Sequence, residues 1–132
     1  MRRPPTATVP AEGSPLSRLA AAFARVHFER DSDHLSPGGR LAAAEVASLL
    51  LRWPRAWVRL RPEGPFLGFP PDPYARADAL VQFLLRHGVA ANRLLRAPGP
   101  TRESDVRSVY CGDAESAGDA RVWVLIGIER SG

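Results

Sequence analysis

The sequence predicts an α+β fold in which two helices cover one face of a four-stranded sheet. Three observations predict it. Two helical segments each open on a cap-plus-proline pair, Ser36-Pro37 and Asp72-Pro73. Short stretches alternating apolar and polar residues, Val26-His27-Phe28 and 56–61, stand before and after the first of them. The chain closes on RVWVLIGIE (121–129), a nearly continuous apolar strand suited to a central position covered on both faces. The resulting order is strand–helix–strand–helix–strand–strand, which a two-layer sandwich accommodates.

Taken in order, residues 1–14 are Pro-rich and aperiodic, so a disordered tail is expected, followed by one domain over 15–130. PLSRLAAAFA (15–24) brings Leu16, Leu19 and Phe23 near one face of a short helix. Asp31 to Asp33 turn the chain after the first strand. In the helix over 37–53, Val46, Leu49, Leu50 and Trp53 recur at i, i+3, i+4 and i+7, and Pro54 stops it. The second strand (56–61) carries Trp57, Val58 and Leu60. A Pro/Gly-rich surface loop follows, in which Phe66, Leu67 and Phe69 either tuck onto the core or form an exposed apolar patch. Ala77, Leu80, Val81 and Leu84 form the buried face of the helix over 73–87, which stops at His87-Gly88. Leu94-Leu95 suggests a short third strand. Residues 97–119 read as a loop in which VRSVY (106–110) is a strand fragment.

Composition excludes more than it selects. All 18 basic residues are arginine and the formal net charge is +4, but the arginines are interspersed with acids. That pattern does not form the stripe of a nucleic-acid face. No apolar run approaches the roughly 18 residues that span a bilayer. The N-terminal stretch is broken by prolines, Glu12 and Arg18, so no secretory signal is visible; the chain stays inside, is a mature fragment, or is exported by another route. The single Cys111 excludes an internal disulfide and reads as an incidental thiol. His27, His34 and His87 lack metal-ligand spacing, and neither a phosphate loop nor a nucleophile–base set occurs, so no metal, cofactor or catalysis is expected. Arg76 stands out, in the first turn of its helix. It either receives a carboxylate beside the free amides there or pairs with Asp72 or Asp78.

VHFERDSDHLSPGGRLAAAEVASLLLRWP resembles the opening of the OmpA-like domain, the peptidoglycan-associating module of bacterial envelope proteins: a strand with F-x-x-x-S-x-x-L-x-P, then a long helix ending at proline. VRLRPEG (58–64) is similar to its second strand running into E-G-H-T-D, and RADALVQFLLRHGVAANRL (76–94) to R-A-x-A-V-x-x-Y-L-x-x-x-G-V-x-x-x-R-L. Arg121-Val122 resembles the end of N-R-R-V. The resemblance implies a β-α-β-α-β-β sandwich with a mixed sheet and a non-catalytic role in the periplasm or cell envelope. It implies binding of the peptidoglycan stem peptide around Arg76, with Asp72, Arg121 and Glu63 as further ligand residues. In the family, that Arg and a Thr-Asp pair hold the diaminopimelate. Here Pro65-Phe66 follows Glu63-Gly64 instead, Asp72-Pro73 replaces the usual Leu-Ser, and Asp119 replaces the usual Asn. Losing one member of a buried charged contact costs about 2–5 kcal/mol. The alternative is therefore a degenerate OmpA-like fold that serves a larger assembly, with Phe66, Leu67 and Phe69 contacting a protein partner.

Overall fold

Ser14, Ser36 and Asp72 each stand in extended backbone just before a proline, and each side-chain oxygen accepts a hydrogen bond from a first-turn amide. These caps start the three long helices of the computed structural model, which describes residues 14–65, 68–95, 106–112 and 120–129. Helix α1 spans Pro15–Ala24 and α2 spans Pro37–Arg52, followed by strand β1 over Ala56–Glu63. Helix α3 spans Pro73–Arg86, a single turn α4 spans Asn92–Leu95, and strands β2 and β3 span Val106–Tyr110 and Arg121–Ile128.

The α+β architecture stands, with a sheet that differs from the expected one. Among the described residues it has three strands in the order β1-β3-β2, with both pairings antiparallel. Val26–Phe28 does not join it. The backbone there closes on itself: Ser36 N–H and Oγ both donate to His27 O, Glu29 N–H donates to His34 O, and Phe28 bridges Leu35. Bonds committed inside a hairpin cannot extend a sheet. Leu94-Leu95 is also not a strand, because the Arg93 and Leu94 amides donate to Ala90 and Ala91 carbonyls and wind the turn of α4. Conversely, VRSVY forms β2 in full, and β1 continues past Arg61 through Pro62, which an edge strand tolerates.

One apolar cluster unites Leu19 and Phe23 of α1, Val46 and Leu50 of α2 and Leu80 and Leu84 of α3 with Val58, Val122, Val124 and Ile126 of the sheet. Each such side chain, fully buried, contributes about 1.5–3 kcal/mol. Helix α1 lies against β2 and β3, α3 against β1 and β3, and α2 packs on both helices. The central strand is buried more deeply on its helix-facing side: Val122, Val124 and Ile126 are buried, whereas Arg121, Trp123 and Leu125 are half-buried. On that second face Trp57 is buried over Gly127, where a Cβ would overlap the indole.

The start of α2 depends on a similar close approach. A Cβ on Gly39 would run into the His27 carbonyl oxygen, whereas one on the neighbouring Gly38 meets nothing. Gly39→Ala is expected to destabilise the protein by about 2–3 kcal/mol through overpacking. Gly38→Ala should stabilise it by about 0.5 kcal/mol through its lower backbone entropy in the unfolded chain. Urea unfolding of the two variants checks the opposite signs.

Candidate functional site

Helix α3 begins where the chain needs an anchor. Asp72 caps it, and the Asp72 N–H donates to Asp33 Oδ1 at 2.8 Å, tying the helix start to the 27–36 hairpin. One turn on, Arg76 N–H donates to Asp72 O, and the side chain turns inward. Its Nε donates to Ser32 O at 2.8 Å, Nη1 to Ala120 O at 3.1 Å and Nη2 to Glu29 O at 3.2 Å. The guanidinium carbon stands 5.1 Å from the centre of the Phe28 ring. Arg76 is only 2% exposed. Burial pulls its pKa below the usual arginine value, and the nearby Asp33 and Asp31 carboxylates oppose that shift. The group stays charged because guanidinium is too basic to lose its proton in a protein.

This arrangement suits holding a backbone better than receiving a ligand. The hairpin must turn its carbonyls inward, and Asp31 sits at φ 56° to do so. A planar fork of donors then satisfies carbonyls from both the hairpin and the entry to β3. An incoming carboxylate would have to reach a buried group whose three nitrogens already donate to carbonyls.

The four ligand residues expected from the sequence fall into two groups. Arg76 and Asp72 (8% exposed) belong to the helical side, with Asp33. Glu63 and Arg121 are register partners at the end of β1 and the start of β3, next to Ala120, but on the sheet face away from the helices. There, Tyr110 Oη donates to Glu63 Oε1 at 2.8 Å, and Arg61 pairs with Glu63 at 3.1 Å. These contacts, Tyr110 foremost, lower the Glu63 pKa, while Glu63 raises that of Tyr110. Phe69 is 60% exposed, whereas Phe66 and Leu67 lie outside the described residues. Cys111 is buried, which raises its thiol pKa. No group of His, Cys, Asp and Glu among the described residues is arranged to hold a metal. Sequence reading missed Arg93, whose Nη2 donates to Trp53 O at 2.7 Å and to Ala56 O at 2.8 Å, fastening the end of α2 to β1. The one sequence signal was its match to the Arg of the R-L pair that ends the 76–94 pattern, which does not say what the side chain holds.

Fold and site together define an α+β module whose helices pack on one face of an antiparallel sheet. The solved structures that share it include the periplasmic domain of Helicobacter pylori MotB. A shorter fragment of that domain superposes with a TM-score of 0.51 at 18% identity, covering 81% of this chain and 79% of that one. A longer fragment gives 0.51 at 17% identity, covering 81% and 73%. Such low identity establishes the fold alone. No family model matches the chain, nor does any curated protein.

Replacing Arg76 with Met should cost on the order of 3–6 kcal/mol, at ~1–2 kcal/mol for each of the three carbonyls left without a donor. Arg76→Lys should recover only part of this, because an ammonium lacks the fork. Urea unfolding gives the magnitude, and faster hydrogen exchange at the Glu29 amide would locate the loosened hairpin. At the other site, a carboxyl depressed by folding adds stability above its unfolded pKa, near 4.3, and that stability is lost as pH falls through the lower folded value. Tyr110→Phe should therefore raise the Glu63 pKa toward the ordinary value in an NMR titration.

Proposed function

We propose that this chain is a non-catalytic, OmpA-like module of a bacterial cell envelope that works by contacting a protein partner in a larger assembly. In this reading Arg76 maintains the scaffold. The observation that carries the proposal is its guanidinium, 2% exposed with every nitrogen donating to a backbone carbonyl. Capture of a stem peptide at Arg76 would have to reach a buried, already engaged guanidinium and would find no Thr-Asp pair for the ligand's ammonium. The side chains of Glu63 and Arg121 alternate onto the sheet face away from the helices, which favours this reading over a pocket shared with Arg76 and Asp72. Phe69, exposed in the loop that also holds Phe66 and Leu67, supports partner contact there, since a protein gains by covering such a group. The envelope location rests on the OmpA-like pattern and on the fold shared with a periplasmic domain.

Sedimentation with diaminopimelate-containing peptidoglycan tests this reading. The chain is expected to remain in the supernatant at concentrations where an OmpA-like domain with an intact Thr-Asp and Arg pellets. Pelleting that free diaminopimelate reverses would overturn the proposal and restore a wall-binding role.

A further inference from the structure

The sheet face turned away from the helices is organised in rows. Register aligns Arg61, Trp123 and Tyr110 across β1, β3 and β2, with Arg59, Leu125 and Ser108 in the next row. The Arg61 guanidinium lies 4.2 Å from the centre of a Trp123 ring, and that of Arg121 lies 5.9 Å from the Tyr110 ring centre. Glu63 is the only acid in the three strands, and Tyr110 and Arg61 already engage it. A cleft of about 220 Å³ opens among Arg59, Leu60, Arg61, Trp123 and Leu125, with room for one side chain. Arg59 at its rim is exposed.

We propose that this face docks an acidic segment of a protein partner, with one apolar side chain in the cleft and flanking carboxylates on Arg59 and Arg61. Charge selects the occupant. On this face of the three strands, Arg59, Arg61 and Arg121 against Glu63 leave an excess of positive charge, which favours an anionic partner and disfavours a second copy, whose identical face would oppose like charges. Single-stranded nucleic acid would use bare aromatic rings for stacking, but Arg61 already lies over Trp123. An acidic peptide needs no bare ring: its carboxylates meet guanidinium forks bidentately, and its apolar residue finds Leu125 and the Trp123 edge. The cleft uses none of the Phe69 loop's residues, so either contact can be tested without the other.

Fluorescence polarisation of the full chain with a fluorescein-labelled Glu-Leu-Glu-Leu-Glu-Leu-Glu peptide tests the proposal. Saturable binding is expected, weakened at least ~10-fold by Arg59→Glu with no change in melting temperature. The same charge change at the exposed Arg86 of α3 should leave affinity within about 2-fold, since surface charges beyond a Debye length are screened. Absence of binding, or equal losses for the two variants, would overturn the proposal. So would tighter binding of an oligothymidylate of equal charge, or a concentration-dependent dimer in sedimentation.

Discussion

Carbonyls from two separate parts of the chain, the 27–36 hairpin and the entry to β3, meet on the Arg76 guanidinium. The hairpin turns Glu29 and Ser32 carbonyls inward, away from water, and inward carbonyls need donors. An arginine supplies several in one rigid plane. Asp72 adds a second tie by donating its amide to Asp33 while its side chain caps α3. The orientation of α3, the closure of the hairpin and the start of the central strand therefore share one small buried region. Removing its charge leaves several polar groups unsatisfied together, which makes the site structurally demanding.

Much of this architecture was legible because its signals are local. Ser36-Pro37 and Asp72-Pro73 read as helix starts since a cap oxygen reaches amides only two or three residues away. The apolar run from Val122 to Ile126 read as the central strand because burial is written in side-chain type. Val26–Phe28 misled because period-2 alternation indicates extended, half-buried backbone without saying which partner takes its hydrogen bonds. His27 and Glu29 spent theirs within the hairpin. Leu94-Leu95 misled because two leucines carry no periodicity, and the backbone bonds of α4 decided the outcome.

The site was less legible for a different reason. Arg76 could be singled out, but its partners are backbone carbonyls, which every residue possesses and no sequence pattern marks. Strand alternation, likewise, turns the Glu63 and Arg121 side chains to the face away from the helices, although Arg76 bonds to Ala120 next door. Arginines close together in the fold thus serve different ends on the two sides of the sheet. One face buries its cation to hold the chain together. The other displays arginines stacked on aromatic rings beside a small cleft.

The central claim is that Arg76 belongs to the scaffold. Its Nε–Hε resonance, followed by NMR in the intact chain while meso-diaminopimelate is added to saturating millimolar concentration, tests that claim most directly. A buried proton donated to Ser32 O should exchange slowly with solvent and keep its chemical shift throughout the titration. A saturable shift, or rapid exchange in the free protein, would contradict the account and identify Arg76 as a ligand-facing group.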